Sequence, residues 1–108
     1  LPGGVIDTNE NPEVAAIREV LEETGYVIDK VNLLYKTAPN PATNNNYAFL
    51  YLATGAKQLV NQQLDKFEDI DIVVYPKDEI ITLLKEGKIL HGVQVGALYA
   101  AFFKLGWI

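Results

Sequence analysis

The segment from Gly4 to Tyr26 constrains this chain more than any other feature, because it places five glutamates and one arginine in a glycine-framed stretch. Its pattern is G-x5-E-x7-R-E-V-x-E-E-x-G. With glycine at roughly 7% of residues and each charged type at about 6%, chance produces such a pattern with a probability on the order of 10⁻⁹ per starting position. The fixed positions are Gly4, Glu10, Arg18, Glu19, Glu22, Glu23 and Gly25.

Local signals predict that the middle of this segment is a helix from Pro12 to Thr24. Asn11 is a favoured N-cap residue, and proline is favoured at the first helical position. Gly25 is a favoured residue just beyond a helix end, so it is expected to stop the helix. The segment is therefore a glycine loop followed by a short acidic helix.

The spacing of the glutamates puts Glu19, Glu22 and Glu23 on one face of this helix, since they are separated by three and four residues. Like charges at these spacings weaken a helix by a few tenths of a kcal/mol per pair. Such crowding indicates that the glutamates serve a function beyond keeping the protein soluble. The residues expected to face the core from the opposite side are Val14, Ile17 and Leu21.

A divalent cation would offset this repulsion. Mg²⁺ prefers carboxylates, water and phosphate oxygens as ligands, so the cluster predicts a site for magnesium and a diphosphate. Gly3 and Gly4 allow the backbone to approach such a cation, and a carbonyl oxygen there could be a further ligand. The alternative is an amphipathic helix with a solvated acidic face, which the full pattern makes less attractive.

The pattern resembles the Nudix box at every fixed polar and glycine position. The resemblance implies a hydrolase that cleaves nucleoside diphosphates linked to another group, using Mg²⁺ or Mn²⁺ and attack of water at phosphorus. It implies that Glu19 and Glu23 ligate the metal and that Glu22 can join them. The carbonyl of Gly3 is implied as another ligand, and Glu22 and Glu23 are expected to be catalytic.

The remaining box positions are expected to support the site. Gly4 and Arg18 are assigned to substrate binding, and Arg18 with Glu10 is also expected to hold the loop against the helix. Gly25 is assigned a structural role together with Glu10. Tyr26 stands where the family usually has an aliphatic residue, but this position is used for packing and leaves the chemistry intact.

The downstream chain resembles the ADP-ribose pyrophosphatases and nucleoside diphosphate sugar hydrolases within this family. Pro41 lies about fifteen residues beyond the box, which is the spacing typical of that group. The segment from Leu64 to Gly92 shares its layout of acidic loop, strand, short helix and turn. The resemblance implies that Glu68 is the general base, with Asp69 as a less favoured substitute.

The expected fold is α+β, an α/β/α sandwich with a mixed sheet packed between helices. A strand pair or one long strand is predicted in 27–36, strands are predicted in 47–54 and 70–75, and further helices in 78–85 and 93–104. Residues 37–45 and 57–69 are predicted loops. The chain is one domain over 1–108. The resemblance also implies strands before the box, so the chain is expected to lack N-terminal strands.

Composition excludes several function classes. The net charge is -5 and no basic stripe is present, which argues against nucleic-acid binding. The chain has no cysteine, which excludes thiol catalysis, and no serine, which excludes a serine triad. No apolar run approaches the length of a membrane span. We therefore expect a cytoplasmic enzyme, and the resemblance implies a homodimer.

Five other residues have both a functional and a structural interpretation. His91 is expected to cap a helix or lie on the surface. Tyr47, Phe49 and Tyr51 share one strand face, where core packing is favoured over stacking on a base. Trp107 is expected either to close the core or to contact a second copy.

Three functions are compatible with these features. The favoured one is Mg²⁺-dependent hydrolysis of ADP-ribose or a related nucleoside diphosphate sugar, giving AMP and a sugar phosphate. The second is a Nudix hydrolase of another nucleoside diphosphate derivative. The third is a Nudix-like domain that senses ADP-ribose without cleaving it; such domains usually lose box glutamates, whereas this chain retains all of them.

Overall fold

The computed structural model describes residues 1–64 and 68–108, and these residues form helices and short strands. The helices are α1 (Pro12–Thr24), α2 (Lys77–Lys85) and α3 (Gly92–Leu105). The strands are β1 (Tyr26–Val27), β2 (Val31–Thr37), β3 (Ala48–Ala53) and β4 (Lys57–Gln58). The predicted α+β class is confirmed.

Both ends of α1 form as its local sequence predicts. The side chain of Asn11 accepts a hydrogen bond from the backbone N–H of Glu13, and proline follows as the first helical residue. Gly25 adopts a left-handed conformation at φ 73°, and its N–H donates to the carbonyl of Leu21. A glycine accepts this φ at little steric cost, which explains why the helix stops there.

The strands pair in two antiparallel ladders. β2 runs against β3 from Val31 opposite Ala53 to Thr37 opposite Ala48, with a register irregularity between Leu33 and Tyr35. β1 runs against β4, which places Tyr26 opposite Gln58. The strands predicted in 27–36 and 47–54 are thereby confirmed.

The strand predicted in 70–75 is wrong. These residues form no ladder, and the side chains of Val73 and Val74 are 63% and 71% exposed. An apolar β-branched run becomes a strand only when its backbone N–H and C=O groups pair with a neighbouring strand. Neither ladder in the described part of the chain includes this segment.

The prediction that Val14, Ile17 and Leu21 face the core is wrong for two of the three residues. Val14 is 55% exposed and Leu21 is 37% exposed, whereas Ile17 is half-buried. The buried residues of α1 are Ala15 and Glu23. The glycine loop at 3–4 lies against the side of α1 that carries Glu19 and Glu23, so that side is covered instead.

The last two helices follow their predictions within a residue or two. His91 caps α3, since its Nδ1 accepts a hydrogen bond from the N–H of Gln94 at 3.4 Å. Trp107 stacks on Phe102 with 5.3 Å between ring centroids, and the Nζ of Lys77 lies 5.0 Å from the Trp107 ring. This cluster joins the end of α3 to the start of α2.

The core is small and built from few side chains. The buried apolar residues within the described ranges are Ala15, Ile28, Val31, Leu84, Ala97 and Phe102. Phe49 and Tyr51 are half-buried, as packing predicts, but Tyr47 is 58% exposed and lies under the Nζ of Lys36 at 4.0 Å. None of the described helices is both long and apolar enough to span a membrane.

Candidate active site

Arg18 joins the glycine loop to the acidic helix. Its Nε donates to Oε2 of Glu10 at 2.9 Å, and its Nη2 donates to Oε1 of the same carboxylate at 3.0 Å. Nη2 also donates to the carbonyl of Val5 at 3.1 Å. This two-point contact matches the planar guanidinium to a carboxylate, so it fixes the loop in one orientation on α1.

The same guanidinium contacts the candidate metal ligands. Nη1 of Arg18 donates to Oε1 of Glu19 at 2.9 Å and to Oε2 of Glu22 at 3.3 Å, and Nη2 lies 3.6 Å from Oδ2 of Asp7. One positive charge therefore faces four carboxylates, including that of Glu10. The cluster keeps a net negative charge that a bound cation would offset.

The pKa values of Glu10 and Arg18 are shifted in the directions that this pairing requires. The hydrogen bond from Arg18, followed by that from the backbone N–H of Asp7, lowers the pKa of Glu10 below its ordinary value. The hydrogen bond to Glu10 raises the pKa of Arg18 further above its already high value. Both groups are therefore held in their charged forms by each other.

Glu23 occupies a different environment from its neighbours on the helix. Only 8% of the residue is exposed, and its Oε2 accepts a hydrogen bond of 2.9 Å from the N–H of Gly3. Burial raises the pKa of Glu23, and the negative charges of Glu19 and Glu68 add to this rise against the opposing effect of Gly3. Within the described chain, no lysine or arginine forms an ion pair with it.

Two box glycines lie at close contacts with other parts of the chain. A Cβ at Gly4 would collide with the carboxylate of Glu19, and a Cβ at Gly25 would collide with the carbonyl oxygen of Val60. By contrast, a Cβ at Gly3 would meet open space. Gly4 therefore lets the loop pack against a candidate metal ligand, and Gly25 lets the downstream chain pack against the end of α1.

The candidate base reaches this region from the second half of the chain. Glu68 is half-buried, and its charge acts on Glu23, whereas Asp69 is exposed. Residues 65–67 of the predicted 57–69 loop lie outside the described residues. The charge of Glu68 thus lies within electrostatic range of Glu23.

The residues present fit a divalent cation by their chemistry. The metal ligands available are all carboxylate oxygens, from Glu19, Glu22 and Glu23. Glu23 is also buried beside other negative charges. In residues 1–64 and 68–108, no three His, Asp or Glu side chains already converge on a common cation position. Arg18 contacts one oxygen each of Glu19 and Glu22.

One contributor escaped prediction from the sequence. Gln62 donates from its side-chain amide to the carbonyl of Glu23 at 2.7 Å and to that of Ile70 at 2.9 Å. Its only signal in the sequence is its place among several uncharged amide residues between β4 and Glu68. Amides can bridge carbonyls, but the pattern does not say which ones.

Comparison with known proteins agrees with the box. A family model described as NUDIX domain matches residues 1–93. The methanol dehydrogenase activator of Bacillus methanolicus is 33% identical over 99 residues, which are 91% of this chain and 54% of that protein. A CMP-5'-(N-acetyl-N-hydroxy-3-aminopropyl)phosphonate hydrolase of Streptomyces rubellomurinus is 36% identical over 99 residues, 91% of this chain and 48% of that protein.

A third relative is a GDP-mannose pyrophosphatase of Enterobacter sp., 31% identical over 91 residues, which are 82% of this chain and 47% of that protein. The chain thus spans about half the length of these curated relatives. The family model covers most of the chain, and the box residues within it are assembled around Arg18 and Glu23. The chain belongs to the Nudix family.

Proposed function

We propose that this Nudix domain hydrolyses the diphosphate linkage of a nucleoside diphosphate sugar, with ADP-ribose as the favoured substrate. Water attacks one phosphorus, the bridging P–O bond breaks, and two monophosphates and a proton are released. With ADP-ribose the products are AMP and ribose phosphate.

The observation that carries the proposal is the buried carboxylate of Glu23 beside Glu19, with Glu68 close enough to act on it electrostatically. A diphosphate is itself an anion, so it would be repelled by this cluster unless a cation lay between them. These charges support a requirement for a divalent metal. Glu19, Glu22 and Glu23 would hold Mg²⁺, which would polarise the phosphoryl oxygens and lower the pKa of bound water.

The other residues of the site would accept a proton from water or hold the loop and the acidic helix in place. Glu68 would accept the proton of the attacking water, a role that requires it to reach the water directly or through another one. Arg18 keeps the loop and the acidic helix in register and limits repulsion among the glutamates. Gly4 lets the loop approach the site without displacing Glu19.

The names of two relatives support a second candidate function, in which the substrate is a different nucleotide derivative. Their names include a hydrolase of a CMP-linked phosphonate and a GDP-mannose pyrophosphatase. Each of these names refers to a nucleotide joined to a second group. A Nudix hydrolase of a nucleoside diphosphate derivative other than ADP-ribose is therefore the second candidate function, and it would use the same residues.

A substrate panel tests both candidates. We expect purified protein with Mg²⁺ to release nucleoside monophosphate from ADP-ribose faster than from GDP-mannose, a dinucleoside polyphosphate or a CMP-linked phosphonate. Chelation by EDTA should stop the release, and added Mg²⁺ should restore it. Preference for another member of the panel would favour the second candidate. Tight calorimetric binding of ADP-ribose without AMP release would instead identify a sensor and refute the proposal.

A further inference from the structure

The chain that leads from β4 towards Glu68 is tied to the end of α1 by its backbone. The N–H groups of Leu59 and Val60 donate to the carbonyl of Gly25 at 3.1 and 3.3 Å. The N–H of Gln63 donates to the carbonyl of Glu22 at 2.7 Å. The last carbonyls of a helix have no partner within the helix, so this segment supplies donors that α1 lacks.

The side chain of Gln62 makes a contact of another kind. Its Nε2 donates to the carbonyl of Glu23 at 2.7 Å and also to the carbonyl of Ile70 at 2.9 Å, and both bonds are partly buried. An amide NH₂ has two hydrogens, so one group can serve both acceptors. Both partners are carbonyl oxygens, which only accept hydrogen bonds. The side-chain oxygen of Gln62 therefore cannot take the place of its NH₂ group.

Capping of the helix explains the first bond but not the second. Ile70 follows Glu68 by two residues, whereas Gln62 precedes it by six. The bond to Ile70 therefore attaches Gln62 to the backbone just beyond Glu68. The bond to the Glu23 carbonyl attaches the same side chain to the candidate metal ligand. A single side chain links the residue that would hold the metal to the segment that carries the candidate base.

We propose that Gln62 is a positioning residue that fixes Glu68 relative to Glu23. The proposal rests on the proposed function and deepens it, because Gln62 would act on turnover only through Glu68. A displacement of about 1 Å in a catalytic group can cost up to roughly 100-fold in rate. The two hydrogen bonds of Gln62 restrain such a displacement.

Gln62→Met removes both donors while keeping the length of the side chain. Gln58→Met is the matched control, because the Nε2 of Gln58 approaches the same helix end at Thr24 with a weaker bond of 3.5 Å and is exposed. We expect Gln62→Met to lower kcat for the preferred substrate by roughly 10- to 100-fold while KM stays within about twofold. Gln58→Met should leave both constants close to those of the unmodified protein.

A double-mutant cycle separates positioning from general stability. If Gln62 acts through Glu68, Gln62→Met should cost little further turnover once Glu68→Gln has removed the base. An equal loss in both backgrounds would overturn the proposal, and so would a loss confined to KM or one shared by Gln58→Met. Each of these results would mean that Gln62 supports the fold or substrate binding instead.

Amide hydrogen exchange tests the same proposal without turnover. Gln62→Met should speed exchange over residues 68–71 relative to Gln58→Met, since the restraint at Ile70 is lost. Unchanged exchange would overturn the positioning role. If the unmodified protein cleaves none of the panel substrates, the proposed function fails, and the exchange experiment still decides whether Gln62 holds the Glu68 segment.

Discussion

The buried carboxylate of Glu23 accepts a hydrogen bond of 2.9 Å from the backbone N–H of Gly3, twenty residues earlier in the chain. This bond fastens the glycine loop to the last turn of α1 at a residue that is 8% exposed. Glu19 lies one turn earlier against Gly4, so two successive glycines contact two of the three candidate ligands on the helix. The local geometry thus makes the loop and the acidic helix one unit.

Glu23→Gln should abolish most turnover without unfolding the protein. The amide keeps the shape of the side chain and can still accept from Gly3, but it is a much poorer ligand for Mg²⁺. Loss of a residue that only supports a metal ligand typically costs roughly 10- to 100-fold in activity. We expect loss of a ligand itself to lower kcat/KM by at least that much. Glu13→Gln makes the same charge change at an exposed position of α1 and should have little effect. Unchanged turnover in Glu23→Gln would refute the assignment of the metal ligands.

Stability should respond to pH with opposite signs at Glu23 and Glu10. The pKa of Glu23 is raised above its ordinary 4.5, so the folded state holds this proton more tightly and its contribution to stability declines as pH rises from that value. The pKa of Glu10 is lowered, so its contribution is present above 4.5 and is lost as pH falls through the lowered pKa.

Urea unfolding across acidic and neutral pH would measure both effects. The unfolding free energy of Glu23→Gln should rise relative to that of the unmodified protein as the pH approaches neutral. Glu10→Gln should be less stable than the unmodified protein at neutral pH, and this difference should disappear as the solution becomes acidic. Both comparisons are made without divalent cations, because bound metal would favour ionised Glu23. Parallel pH profiles for the two variants would contradict the difference in their environments.

Arg18→Lys should impair the site although it keeps the positive charge. A lysine ammonium cannot reproduce the two-point contact with Glu10 while also contacting Glu19 and Glu22. We expect a lower melting temperature and a loss of about tenfold or more in turnover. Lys88→Gln is the control, because its ion pair with Glu86 is exposed and of a kind that contributes little. Thermal melts and steady-state rates that match the unmodified protein would contradict this role.

Gly25→Ala should cost more stability than Gly87→Ala. Both glycines have positive φ, 73° and 68°, so an alanine pays about 1–2 kcal/mol at either position. At Gly25 the added Cβ also collides with the carbonyl of Val60, whereas at Gly87 it meets open space. Gly25→Ala should therefore show the larger drop in unfolding free energy and also lower turnover, because Val60 belongs to the segment that leads to Glu68. Equal losses in urea unfolding would show that the collision is relieved without cost.

The features predicted correctly depend on neighbours in the chain. Asn11 caps α1, Gly25 ends it and His91 caps α3, since each hydrogen bond joins residues only a few positions apart. The spacing of Glu19 and Glu23 also follows from the helical repeat alone. Resemblance added the candidate role of Glu68, which no local rule predicts.

The features predicted wrongly depend on partners from elsewhere in the chain. The helical repeat separates the faces of α1, but burial of Ala15 and Glu23 depends on what lies against the helix. The apolar run at 70–75 has strand propensity, yet a ladder requires a neighbouring backbone. Val14 and Leu21 are exposed for the same reason, as propensity and pattern cannot supply a packing surface.

The sequence by itself determined the ends of α1, the turn on which the glutamates meet, the α+β class and the family. Only the tertiary structure decided that Arg18 also contacts the carbonyl of Val5, that Glu23 is buried against Gly3, and that Gln62 bridges Glu23 and Ile70. The physical reason is range. Capping and helical spacing act over a few residues, whereas the contact of Arg18 with Val5, the burial of Glu23 and the bridge made by Gln62 arise only when distant segments pack together.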